Sequence, residues 1–153
     1  MAKLEYELSS IVANLEKLEK SLDGWQANLS LDNKNIEVAN VEQAAWLAYY
    51  DEIKVQLKMM LEYVDYLLRE QKAKAMKLLY QTMQKSVTDR VVEKLAEDNS
   101  KYKNLFLIYL EVKELYMLAD SIVFQLQQRA YSINNIVKIR EKELEGVTLH
   151  LDQ

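Results

Sequence analysis

The sequence contains no cysteine, no proline, two glycines and one histidine in 153 residues. Without cysteine there can be no disulfide, no thiol nucleophile and no thiolate metal site. Without proline, and with glycine only at positions 24 and 146, the tight turns of a multi-stranded β protein have few residues to form them. The chain is therefore expected to be a few long helices with brief connections. The histidine, His150, lies three residues from the C-terminus. A carboxylate-bridged di-metal bundle uses two Glu-x-x-His pairs, which one histidine cannot supply, so no metal or other cofactor is expected. A Gly-rich phosphate loop, a Gly-x-Ser-x-Gly elbow and an Asp-rich metal cluster are all missing. Glu-Lys alternation such as Glu16-Lys17-Leu18-Glu19-Lys20 is ordinary pairing on a helix surface, and no enzymatic activity is expected. Long apolar runs are missing too. Ala44-Ala45-Trp46-Leu47-Ala48-Tyr49-Tyr50 is far too short to cross a bilayer, and the opening MAKLEYELSS has acids where a secretory signal is apolar. An intracellular, cytoplasmic protein with no membrane partner is the expectation.

What is present is a great deal of apolar side chain at helical spacing. Half of the residues are hydrophobic, enough for one domain with a real core. Leu4, Leu8, Ile11, Leu15, Leu18, Leu22 and Trp25 alternate spacings of four and three, predicting a helix from about Lys3 to Asp23 with a heptad seam. That seam suits either a coiled coil or a helix packed on its own chain. Gly24 ends or kinks it, and Asp32-Asn33-Lys34-Asn35 reads as a polar turn. A second helix is predicted from about Asn35 to Met83, on Trp46, Tyr50, Ile53, Leu57, Met60, Val64 and Leu67. Val55, Met59, Leu61, Tyr63 and Leu68 widen its stripe, and a helix apolar on more than one side meets more than one neighbour.

Ser86-Val87-Thr88-Asp89 has the form of a capping box and predicts a short helix from about Val87 to Glu97, closed by Asp98-Asn99-Ser100. The last stretch, Lys101 to Glu145, is the most regular. Tyr102, Leu105, Tyr109, Val112, Tyr116, Ala119, Val123, Leu126, Ala130, Ile133 and Val137 keep the alternation without a miss, and Ile108, Leu115, Ile122 and Ile136 form a second line beside it. Such a long 3.5-residue period predicts supercoiling against partners. Two adjacent seams predict an assembly larger than a dimer. A helix of that length is about 65 Å long, and copies of the same chain are the expected cover, with an elongated monomeric bundle as the alternative; Leu105, Tyr109, Val112, Tyr116, Ala119, Val123, Leu126, Ala130, Ile133 and Val137 are the expected oligomerisation residues. Gly146 is expected to stop the helix. The predicted organisation is thus all-α, with long heptad-bearing helices in an oligomeric bundle or ring. Residues 1–34 form an amphipathic helix and turn, and 35–98 a long helix, a basic segment and a short helix. Residues 99–146 form an assembly helix, and 147–153 a frayed tail.

Charge is unevenly spread. The net charge is −4, which does not announce a nucleic-acid binder. Residues 1–68 nevertheless hold 6 basic and 12 acidic groups, and residues 95–153 hold 7 and 9. The segment 69–94 holds 7 basic groups against Glu70, Asp89 and Glu93. Those seven, Arg69, Lys72, Lys74, Lys77, Lys85, Arg90 and Lys94, are candidates for several phosphate contacts. The ordinary alternative is a solvated helix end, where cations favour the C-terminal dipole. Tyr80 and Tyr102 flank the segment and are candidates for base stacking, although tyrosine, with ten copies, is more often a core residue.

Two of these segments resemble the UvsY-like recombination mediators of tailed phages, over about residues 36–146. Gln71-Lys72-Ala73-Lys74-Ala75-Met76-Lys77 is similar to that family's Gln-Lys-Lys-x-Ala-Leu-Lys run. Arg129-Ala130-Tyr131-Ser132-Ile133-Asn134-Asn135-Ile136-Val137-Lys138-Ile139-Arg140 resembles its Arg-small-aromatic-x-Ile-x-x-Ile-x-x-apolar-Arg ending. Between them lies a middle segment with acidic and β-branched residues. The resemblance implies a protein that binds single-stranded DNA coated by a single-strand-binding protein and helps a RecA-like recombinase nucleate there, in a phage-infected host cell. It also implies a ring assembled through the C-terminal helix, and no catalysis. Lys77 matches a family lysine implicated in DNA binding, while Leu79 stands where the family has an arginine. The first 30 residues extend beyond the family's usual start. Arg129 and Arg140 are expected to pair with Glu141 or Glu143 between helices, with DNA contact as the alternative. The rival reading is a coiled-coil scaffold or adaptor with no nucleic-acid role.

Overall fold

The computed structural model describes residues 2–32, 34–83 and 87–151, with side chains described over 8–32, 34–83 and 87–144. Five helices follow in order: α1 (Ala2–Leu22), α2 (Trp25–Leu29), α3 (Ile36–Thr82), α4 (Asp89–Glu97) and α5 (Ser100–Leu151). There is no strand among the described residues, and the fold is all-α. No described helix is long and apolar enough to cross a membrane. The expected bounds of α1 and α3 and the expected start of α5 fall within one residue of those observed.

Three local features depart from expectation. At Gly24 the first helix ends as expected, but a second, unexpected helix begins directly after it. Gly24 adopts φ +72°, a left-handed conformation that glycine enters without a Cβ penalty, and α2 starts on it with Ala27 N–H donating to the Gly24 carbonyl (3.1 Å). A five-residue helix carries too little periodicity to stand out in sequence. The capping box is displaced: Ser86 lies outside the described residues, Thr88 is the N-cap, and its side chain makes no capping bond. The Thr88 carbonyl instead accepts from Val91 and Val92 N–H. Finally, α5 does not stop at Gly146 and leave a frayed tail. Its helix continues to Leu151, because glycine lowers helix propensity by only about 1 kcal/mol.

The chain forms two compact units. The first comprises residues 1–20 and 55–117. Buried in it are Ile11, Leu15 and Leu18 of α1, Leu57, Val64, Leu67, Leu68 and Ala75 of α3, Val92 and Ala96 of α4, and Leu105 and Val112 of α5. The second comprises residues 21–54 and 118–153. Leu22, Ala39, Tyr50, Ile53, Ala119, Ile122, Val123, Leu126 and Ile133 are buried there. Within this unit α3 and α5 are antiparallel, as Lys54 pairs with Asp120 (2.6 Å) while Gln43, a residue earlier in the chain, reaches Leu126, a later one. Tyr50 is fully buried, and its hydroxyl accepts from Asn28 Nδ2 (2.9 Å).

These burials correct the reason given for self-assembly. Of the ten residues assigned to it, Leu105, Val112, Ala119, Val123, Leu126 and Ile133 are covered by their own chain, and Tyr109, Tyr116, Ala130 and Val137 are half-buried. The seam finds its cover inside one molecule, because α1 and α3 carry matching apolar stripes. What remains exposed lies off the seam. In the first unit Val55, Met59, Tyr63 and Tyr66 of α3 and Phe106, Leu107, Leu110 and Met117 of α5 are exposed, and in the second Phe124, Tyr131, Ile139 and Leu144.

Candidate nucleic-acid interface

The described residues of the basic segment include the C-terminal part of α3 and the first six residues of α4, within the first unit. Nine residues of α4 divide its surface into strips. Val92 and Ala96, four apart, are buried. Asp89, Glu93 and Glu97, also four apart, make the next strip, and Arg90 and Lys94 the one after it; residues at this spacing share a helix face. Val91 and Leu95 are exposed. Burying the apolar strip therefore decides where both charged strips point.

The acidic strip meets α3. Lys72 Nζ donates to Glu93 Oε1 (2.6 Å) and to Glu97 Oε1 (2.8 Å). The Lys72 side chain is only 25% exposed. Hydrogen bonding to Glu93 first, and to Glu97 second, holds its ammonium well above the ordinary lysine value. One helical turn from the α3 end, Tyr80 OH donates to Asp89 Oδ1 (2.5 Å). That carboxylate raises the Tyr80 pKa, because it favours the protonated hydroxyl. So α4 is tied to α3 at both ends by its own carboxylates, Asp89 at one and Glu93 and Glu97 toward the other.

The seven cations consequently fall into different roles. Lys72 is a tether. Arg69 pairs with Asp65 (2.5 Å) but is 80% exposed, and Lys74 pairs with Glu70 (2.9 Å); both are single-turn surface pairs, which hold a side chain only weakly. Lys77, Arg90 and Lys94 are exposed and have no carboxylate partner among the described residues. Lys85 lies outside the described residues. Lys77 borders a shallow, mainly apolar groove of about 470 Å³ together with Ala73, Met76, Tyr80 and Gln81. A cation beside an aromatic face is the element from which single-strand binders are assembled, one holding phosphate and the other a base.

The two flanking tyrosines differ. Tyr80 offers a half-exposed ring at that groove. Tyr102 is half-buried and lies parallel to Phe106, with ring centroids 6.3 Å apart and 8° between planes. Phe106 in turn lies near-parallel to Tyr109 (6.2 Å, 18°), and Lys113 Nζ stands 5.9 Å from the Tyr109 ring. Phe106, which is exposed, escaped the sequence reading; its offset of four from Tyr102 and three from Tyr109 was the available signal.

Within the chain, neither Arg129 nor Arg140 is paired with Glu141 or Glu143 among the described residues. Arg140 is exposed with no partner among the described residues. Arg129 is buried and bonded to Gln43 and Ala39. The reason is register: position 129 falls on the second apolar line of α5, seven after Ile122 and seven before Ile136, which turns its side chain inward. Gln43 falls seven before Tyr50 on the α3 seam in the same way. Two polar residues at seam positions were the sequence signal for this contact.

No group of three or more acidic or histidine side chains able to hold a metal occurs among the described residues. No known protein family, curated protein or solved structure matches this chain.

Proposed function

We propose that this protein binds single-stranded DNA through the end of α3 and through α4, and acts as a UvsY-like recombination mediator. In that role it helps load a RecA-like recombinase onto DNA covered by a single-strand-binding protein. One observation carries the reading: α4 turns its acids onto Lys72 and Tyr80, so that Lys77, Arg90 and Lys94 are left without carboxylate partners among the described residues. The resemblance of the Gln71–Lys77 and Arg129–Arg140 segments supports it. The mechanism is differential affinity: the mediator favours the DNA shape that the recombinase prefers and weakens the coat protein's hold. Contacts go to phosphates and base faces, with little sequence preference, because no groove-reading element is present. Copies of the chain are proposed to multiply this modest cationic surface, associating through exposed apolar side chains off the seam.

The test is fluorescence anisotropy of a labelled single-stranded oligonucleotide at several salt concentrations. Replacing Lys77, Arg90 and Lys94 by alanine is expected to weaken binding about tenfold or more at low salt and to reduce the log–log salt slope by about 2. Lys72 is kept, because its removal would also loosen α4. Unchanged affinity in the triple variant would falsify the interface. The second reading, a helical scaffold or adaptor without nucleic-acid binding, is favoured by Val55, Met59, Tyr63 and Tyr66, which expose an apolar line on α3. It predicts no anisotropy change with the wild-type protein at low micromolar concentration.

A further inference from the structure

The second unit holds a cation whose hydrogen bonding is incomplete. Arg129 is 6% exposed. Its Nη1 donates to Gln43 Oε1 (2.5 Å) and to the Ala39 carbonyl (3.4 Å). Gln43 Nε2 donates to the Leu126 carbonyl (2.7 Å), so the Gln43 amide is held at both ends and fixes the plane of the guanidinium. The Nε and Nη2 nitrogens are buried and have no hydrogen-bond partner among the described residues. In arginine these two N–H groups lie along one edge and point the same way, the arrangement that takes both oxygens of a carboxylate. Burial pulls the Arg129 pKa below its usual range, but a guanidinium remains charged in proteins. A buried charge with three of its five donors unused is costly. The charge of Glu42 is felt at Arg129, yet Glu42 Oε2 is already bonded to Lys34 (2.8 Å).

Arg129 also lines a cleft of about 490 Å³ under the segment joining α2 to α3, with Ser30, Asp32, Gln125, Gln128 and Ser132 around it. We infer that the Nε–Nη2 edge of Arg129 is a receptor for one carboxylate group, admitted through this cleft. The observations favour a carboxylate over a phosphate. The paired donors match the two coplanar oxygens of a carboxylate, and Asp32, also in the cleft wall, disfavours a dianion more than a singly charged group. Both nitrogens are sealed from solvent in this structure, so the cleft wall must shift to admit the ligand. The hydroxyls and amides of the cleft supply the remaining polar contacts. Two sources present the same chemistry: a small free carboxylic acid, or an acidic side chain of a second copy of this chain. The inference is independent of DNA binding.

Arginine-selective NMR tests it on the intact protein. There are four arginines, at positions 69, 90, 129 and 140, so the Nε–H spectrum is simple. The Arg129 signal is identified by slow solvent exchange and by its loss in Arg129→Lys. Titration with acetate and with glutarate, at ionic strength held constant with chloride, is expected to move that signal saturably while the other three stay. Arg129→Lys, which keeps the charge but loses the paired donors, is expected to bind glutarate about tenfold more weakly, read by calorimetry. A signal that moves when the protein alone is concentrated supports the receptor and assigns the carboxylate to a second copy. A signal that ignores both acids overturns the inference, as does one that follows chloride or inorganic phosphate equally, which would mark an adventitious ion only. The wild-type titrations decide the matter even if Arg129→Lys fails to fold.

Discussion

Lys72 and Arg129 are both drawn out of bulk solvent, one in each unit, and the fold treats them in opposite ways. Lys72 keeps a quarter of its surface and gains two carboxylates within hydrogen-bond distance. Arg129 is almost wholly covered, and its described partners are one amide oxygen and one backbone carbonyl. The first is a solvated clip whose Coulomb attraction is damped by water and salt. The second is 6% exposed, so solvent damps its interactions far less and each missing hydrogen bond costs more. Depth, rather than the number of opposite charges nearby, sets how much each residue governs its surroundings.

Mutations at the two positions sharpen this contrast. The largest effect is expected for Gln43→Leu, which leaves Arg129 buried with fewer partners still; unfolding by urea should show a loss of about 3–5 kcal/mol. The double variant Gln43→Leu/Arg129→Leu removes both polar groups and should recover most of that loss. A double variant no more stable than Gln43→Leu alone would show that the pair is not a closed unit. Lys72→Ala is expected to cost about 1 kcal/mol or less, with the change concentrated in α4, where amide hydrogen exchange should accelerate most. If α4 exchange is unaltered, Lys72 does not hold that helix.

The smallest effect is one of pH. The Tyr80 hydroxyl is raised by Asp89, and that of Tyr50 by burial. A group whose folded pKa is raised contributes stability that is complete below its unfolded value and is lost as pH climbs through the folded one. Ultraviolet titration should therefore show two tyrosines ionising above the ordinary range near pH 10. Tyr80→Phe should remove one of them and abolish the part of the alkaline stability loss that comes from the α3–α4 contact.

Much of the architecture was legible because heptad spacing reports helices directly. The apolar alternation shows that α1, α3 and α5 exist, and the polar turns between them mark most of their ends, but nothing in it carries α5 past Gly146 to Leu151. Periodicity cannot say whose surface covers a stripe, and Leu105, Val112 and Leu126, read as contacts between copies, turned out to be buried by their own chain. The basic segment was visible as composition, but its division into tether and free cations was not. That division depends on α4 rotating its acids toward Lys72, which follows only once Val92 and Ala96 are known to be buried. Arg129 was noticed for a sequence pattern, while its partner Gln43, 86 positions earlier, went unremarked. A polar residue on an apolar line is easily discounted one at a time; two of them on facing helices form a contact.

That contact has a consequence for how the chain finds its native alignment. A helix with leucine, isoleucine or valine at nearly every third or fourth place is a ruler with identical marks, and two such rulers can be slid by one turn, about 5.4 Å, with little change in grease against grease. Gln43 and Arg129 are a buried notch and tooth. Shifted by one turn, the guanidinium would face aliphatic carbon and the amide would lose its mate, so the sliding states are penalised and one pairing of α3 with α5 wins. The residue that weakens this interior most is thus the one that tells its two longest helices where to stop.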